Sequence, residues 1–224
     1  MKDLIKLGNL ISPYVVGAEG NISKKHNDLF FIKASGVSCN NLIKENIIKC
    51  NLQGKQLNNF NKKPSMEIGF HAWLLSLPSV KYIAHTHPTN TLKILCTNYL
   101  SEFSQKRLFP DQIIYNGPTS CIVPYANPGN DLTKLIKTNV SDYITLTNQI
   151  PKLILLQNHG IICIGTSYQQ CVIATEICEK AAEIFLGAKF LSNINYLNDS
   201  DIEFLEKDKN EIYRKNICHE SNIC

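Results

Sequence analysis

Leu153–Leu156 is an unbroken apolar run, and a strand built from it has no polar face to turn toward water. Asn158-His159-Gly160 breaks it, and Ile161–Ile164 resumes the apolar pattern, giving a buried strand, a break and a second strand. Val80–Ala84 is likewise apolar and β-prone; it leads straight into His85-Thr86-His87 and is stopped by Pro88, which has no N–H for a ladder. Strands of this kind need cover on both faces, so the chain must also supply helices.

Leu4, Leu7, Leu10, Ile11 and Tyr14 have helical spacing, and Gly17 and Gly20 end that helix. Asn21–Lys24 and Leu29–Lys33 read as strands joined by a turn at His26-Asn27-Asp28, and the polar stretch Asn51–Lys63 as a loop or hairpin. Ser65 is placed to cap a helix running through Glu67, Phe70, His71 and Leu74 to about Leu77. A short helix follows over Thr91–Cys96, then short strands at Ile113–Tyr115 and Cys121–Val123, and a helix near Leu132–Ile136 after the Pro128-Gly129 turn. Ser167 with Gln170 forms a capping pattern opening a helix to about Leu191, and a charged helical segment spans Ile202–Tyr213. There is no regular βαβ rhythm. The pattern predicts one domain over residues 1–224, a three-layer α/β/α sandwich around a mixed, largely antiparallel sheet.

A chain of 224 residues can bury a core without disulfide staples. Its formal charge of +4 is small and its Lys and Arg residues are scattered, so nucleic acid is not an expected partner. No apolar run approaches the roughly 18–20 residues of a membrane span, and the first residues carry Lys2, Asp3 and Lys6 rather than a leader core, so a cytoplasmic location is expected. Nine cysteines, an odd number without a CxxC pair, read as reduced structural thiols, with Cys96, Cys121, Cys163, Cys171 and Cys178 in apolar settings.

The chemistry concentrates in the histidines. On a strand, alternate side chains share a face, so His85 and His87 project together from roots about 7 Å apart, a good start for a tetrahedral metal with bonds of about 2.0 Å. His159 sits at a strand end, where Gly160 allows the backbone to turn tightly and present the ring inward. Glu67 is the candidate carboxylate, although a first-turn acid also complements a helix dipole. His71, four residues on and flanked by Phe70 and Trp73, reads as a packed structural histidine; His26 and His219 receive no role. Two loops suit an anion, Gly17–Asn21 and Ala34-Ser35-Gly36, through their backbone N–H groups and the Asn21 amide; Ser65 adds a hydroxyl.

In order and spacing these pieces resemble the class II aldolase/adducin family. The resemblance runs through Gly20-Asn21-Ile22-Ser23, Ile32–Gly36, Pro64–Glu67 with His71, and His85–Pro88. It continues through Val123-Pro124-Tyr125 with Pro128-Gly129, Leu155–Gly160, and the helix bearing Glu179, Ala181, Ala182 and Glu183. It implies Zn2+ or another divalent metal held by His85, His87 and His159, with Glu67 as a further ligand or as the catalytic base. It further implies phosphate bound among Asn21, Ser35, Gly36 and Ser65, and a homotetramer with active sites at subunit contacts. The implied activity is an aldolase-type lyase acting on a sugar-phosphate-like hydroxy-carbonyl compound through an enediolate. Epimerase, dehydratase or decarboxylase chemistry at the same site, or an adducin-like scaffold role, are the alternatives.

Glu at position 67 is the aldolase-like choice, since the epimerases carry Asp. Departures from the family pattern are Ala18 in place of a threonine, Met66 in place of a second serine, and Glu19 beside the anion loop, a charge that Lys33 or another cation must offset. Pro110-Asp111 stands where the aldolases carry a proton-donating tyrosine, leaving Asp111 or Tyr213 as substitutes.

Overall fold

The computed structural model describes residues 1–58, 61–210 and 213. Its centre is a seven-stranded sheet formed by β1 (Asn21–His26), β2 (Leu29–Lys33), β3 (Ile47–Asn51), β4 (Tyr82–Thr86), β5 (Cys121–Val123), β6 (Leu153–Leu156) and β7 (Gly160–Gly165). The order across the sheet is β3-β2-β1-β4-β7-β6-β5. Neighbours are antiparallel except β5 and β6, which are parallel. The sheet is therefore mixed and largely antiparallel, as expected.

Helices cover both faces. One core packs Leu4, Leu7 and Ile11 of α1 (Lys2–Ile11), Ile94 and Leu95 of α3 (Thr89–Leu95), and Cys171, Cys178 and Phe185 of α7 (Tyr168–Leu191) against Ala84, Leu155 and Ile161. The other packs Phe70 and Leu74 of α2 (Ile68–Ser76) and Leu132, Ile136 and Val140 of α6 (Asn130–Thr147) against Ile32, Ile83, Ile154 and Ile162. Successive residues of one strand, Ile83 and Ala84 or Ile161 and Ile162, thus enter opposite cores, which is why these strands lack polar alternation. The shorter helices α4 (Leu100–Gln105), α5 (Pro110–Asn116) and α8 (Asp199–Lys207) lie among the described residues as well. Among the described residues no helix is long and apolar enough to cross a membrane.

Several expectations need correction. Ile113–Tyr115 lies in helix α5: Pro110 at its first turn fixes a helical φ and Asp111 complements the dipole, outweighing the β-prone triplet. Ser65 does not cap α2; Glu67 holds the cap position, and Ser65 Oγ accepts the Glu67 N–H at 3.3 Å. Helix α1 stops at Ile11, where Ser12-Pro13-Tyr14 forms a 3-10 turn. Strand β3 and helix α4 lie outside the expected elements, and α6 extends well beyond Leu132–Ile136. Cys96 is exposed, whereas Cys121, Cys163, Cys171 and Cys178 are buried free thiols. The capping pattern at Ser167 holds, with the hydroxyl accepting Gln170 N–H while Gln170 Oε1 accepts Thr166 N–H. Part of the expected terminal helix, and His219, lie outside the described residues.

Candidate metal centre and anion cleft

Strand ends from the interior of the sheet and one helix start converge at one end of the strands. His85 lies within β4, directly across from Asn21 of β1 on one side and Ile162 of β7 on the other. His87 is just beyond the strand end, its backbone N–H held by Tyr14 O at 2.9 Å. His159 occupies the β6–β7 turn, where Asn158 takes the left-handed conformation at φ 54°. The turn therefore does not depend on a left-handed Gly160; that glycine serves sterically, because a Cβ there would lie 2.5 Å from His87 Cδ2 and 2.6 Å from Thr86 O.

The three imidazoles each offer a nitrogen within 4.8 Å of the others. His85 Nδ1 lies 2.9 Å from Ile161 O, a pure acceptor, so Nδ1 carries the proton and Nε2 is left with its lone pair. That Nε2 lies 3.1 Å from His87 Nε2 and 3.3 Å from Glu67 Oε2. His87 Nδ1 in turn faces Glu19 Oε2 at 3.4 Å, so the acid that looked like a liability beside the anion loop stands behind a histidine. Ligand atoms on a tetrahedral site with bonds of about 2.0–2.1 Å sit roughly 3.3 Å apart. The His85–His87 and His85–Glu67 separations match that spacing, and the His159 ring, its nitrogen within 4.8 Å, would draw in to complete it.

Two buried atoms support the same fit. Among the described residues Glu67 Oε1 and His159 Nδ1 have no hydrogen-bond partner, and His159 Nε2 lies 3.6 Å from that Glu67 oxygen. Buried polar atoms left unpaired cost on the order of 1–3 kcal/mol each, which a bound cation or a transferred proton reaching them would recover. Burial pushes His85 down to about 4. Burial, then the neighbouring His85, pushes His87 and His159 to about 4 as well. All three rings are neutral at pH 7, the form that binds metal.

The other Glu67 oxygen is tethered: Asn21 Nδ2 donates to Oε2 at 2.7 Å and to Ser65 Oγ at 3.1 Å. Beside this pair opens a cleft of about 190 Å³, lined by Asn21, Lys33, Ser35, Gly36, Ser65, Met66 and Glu67 as well as the three histidines. All four residues expected to bind an anion line it. Their donors are partly committed, however: the Ser35 N–H goes to Lys63 O at 2.9 Å and both Asn21 amide protons are used. Ser65 Oγ accepts from Asn21 and from the Glu67 N–H, which leaves its own O–H to donate.

Lys33 is the cleft residue that the motif reading undervalued. It is 2 % exposed, its ammonium donating to Ala18 O at 3.2 Å and to Val37 O, and burial lowers its pKa. The available signal was its place at the end of β2, directly after inward Ile32, so that alternation aims it at the opposite face. Asp111 and Tyr213 do not line the cleft.

A family model for the class II aldolase and adducin N-terminal domain matches residues 11–186. Among curated relatives, the 3-oxo-tetronate 4-phosphate decarboxylase of Haemophilus influenzae is 26% identical over 195 residues, covering 86% of this chain and 88% of the relative. The L-fuculose phosphate aldolase of Methanococcus maripaludis is 27% identical over 188 residues, covering 82% and 94%. Among solved structures, YgbL from Escherichia coli superposes with a TM-score of 0.76 at 23% identity, covering 92% of this chain and 97% of that one.

Proposed function

Because this chain belongs to the class II aldolase and adducin family, we propose that it is a zinc-dependent lyase of the aldolase type. Its substrate is a small hydroxy-carbonyl compound bearing a phosphate. The single observation that carries this reading is the placement of Glu67, with one oxygen tethered by Asn21 and the other unpaired among three neutral imidazoles.

His85, His87 and His159 would hold the cation, here taken as Zn2+, and the bound metal supplies Lewis-acid charge to oxygens beside the reacting carbon. Glu67 removes or returns a proton at the carbon next to the carbonyl, the step for which a fixed carboxylate with one free oxygen is suited. Lys33, with the Ser65 hydroxyl, Ser35 and Gly36, binds the anionic end of the substrate; an ammonium in a part-buried cleft favours a dianion over a neutral sugar. Burial of the Lys33 stem keeps that charge in one place. A cytoplasmic homotetramer goes with this reading, and Met66, 68 % exposed at the cleft, is an apolar side chain that a neighbouring subunit can cover.

The relative named as a decarboxylase is nearly as similar as the one named as an aldolase, and that favours decarboxylation as the second reading. Zinc-loaded protein incubated with a panel of ketose phosphates and 3-oxo acid phosphates separates the two. Dihydroxyacetone phosphate plus an aldehyde is the expected product; CO2 release without an aldehyde would replace the first reading with the second. No turnover of any member of the panel by a stoichiometrically loaded protein would remove both.

A further inference from the structure

His71 lies beside the centre but contributes nothing to the metal cluster. It is completely buried and stacks on Phe70 with ring centroids 4.6 Å apart, as a packed aromatic would. Yet both ring nitrogens are engaged: Nδ1 with Ser23 Oγ at 2.6 Å and Nε2 with Asn21 Oδ1.

The partners dictate where each proton sits. The Glu67 carboxylate accepts only, so the Asn21 atom 2.7 Å from it is the amide nitrogen, and Oδ1 must point at His71. An amide oxygen accepts only, so His71 Nε2 carries the proton. Nδ1 then has a lone pair and accepts from the Ser23 hydroxyl. Turning the Asn21 amide over would set its oxygen against a carboxylate oxygen and would require the other tautomer of His71 and a reversed Ser23 hydroxyl. Amide orientation and ring tautomer are one coupled choice.

We infer that His71 is a positioning residue: by donating Nε2–H to Asn21 Oδ1 it holds the amide nitrogen toward Glu67 and so fixes the direction in which the free Glu67 oxygen points. The inference rests on the reading of Glu67 as the proton-transferring group. It explains why a ring with two polar atoms occupies a site that an apolar ring would fill at no desolvation cost. Ser23, His71, Asn21 and Glu67 form a relay running from β1 through α2 and back to the cleft.

The test has two arms on the full chain. In 15N-labelled wild-type protein at pH 7, long-range nitrogen–proton correlations should show His71 as neutral with the proton on Nε2. A proton on Nδ1, or an imidazolium, overturns the inference. In the second arm, kcat, KM and zinc content are measured with the turned-over phosphate substrate for His71→Phe, His71→Gln, Asn21→Ala and the His71→Phe/Asn21→Ala double variant. His71→Phe should lower kcat by about 10- to 100-fold with KM and zinc content nearly unchanged, because misplacing a reacting group by an ångström costs on that order. The double variant should be no slower than Asn21→Ala alone, and His71→Gln, which keeps a donor, should recover part of the loss. Additive losses, or parallel loss of zinc, refute the inference. Full activity of Glu67→Gln would instead remove the reading of Glu67 as base, while the tautomer measurement still decides whether the relay exists.

Discussion

Gly160 and His87 approach so closely that no side chain fits between them: a Cβ on Gly160 would stand 2.5 Å from His87 Cδ2. The glycine lies on β7 at its junction with the His159 turn, and the histidine just past β4, so the contact sets the spacing of two of the three imidazoles. Their ring centroids are 5.3 Å apart.

Gly160→Ala should therefore push the end of β4, Thr86 O together with the His87 ring, away from the His159 turn and so displace His87 from the cluster. Outer contacts that orient metal ligands are worth roughly 10- to 100-fold in affinity, and the variant should show a loss of that size in zinc titration. Overpacking should lower its stability by about 1–3 kcal/mol. A variant that binds zinc as wild type does would mean that His87 is not a ligand.

His85→Ala removes the ring closest to the other donors and should leave less than stoichiometric zinc after purification. Chelator treatment of the wild-type protein should lower its melting temperature and the same treatment should leave His85→Ala unmoved, since a ligand that binds only the folded state stabilises it by mass action. Identical melting shifts in both proteins would place the metal elsewhere.

Glu67→Gln keeps the shape of the side chain and removes its ability to take a proton. Zinc should remain bound through the histidines while kcat falls by roughly 10²- to 10⁴-fold, the usual contribution of a positioned general base. Retained turnover would reassign the base.

Lys33→Met preserves most of the buried volume and deletes the ammonium. The expected effect is a rise of about 10- to 100-fold in KM for the phosphate-bearing substrate, the weight of a hydrogen bond to a charged group. The unphosphorylated analogue should be affected much less. Equal losses on both substrates would show a general packing defect.

Acid should destabilise the metal-free protein. His85 sits at about 4 when folded, against about 6.5 for a free imidazole, so between those values the unfolded chain binds more protons than the folded one. Stability is then full above pH 6.5 and falls as the pH drops toward 4, by roughly 3 kcal/mol for His85 alone. Urea midpoints should decline across that window; a flat profile would mean that the rings are solvated.

The sheet's central strands were legible because strands covered on both faces must be apolar throughout, as Leu153–Leu156 and Ile161–Ile164 are. The histidine motif was legible for a related reason: a strand's two-residue period puts His85 and His87 on one side whatever surrounds them. Strand β3 was not, since so short a segment takes its state from the neighbouring strand it pairs with. The helix at Pro110–Asn116 was masked by its β-prone triplet, although Pro110 and Asp111 carry a local helix-start signal.

Distances across the chain were also beyond the sequence. Only folding brings Asn21 within 2.7 Å of Glu67, 46 positions away, turns Glu19 toward His87, and converts His71 from a packed aromatic into a hydrogen-bonded link. The sequence determined which side chains can bind a cation and carry a proton, because that follows from their chemistry. The tertiary structure decided which of their atoms are free to do so, because every buried donor and acceptor must first be matched against the neighbours that folding supplies.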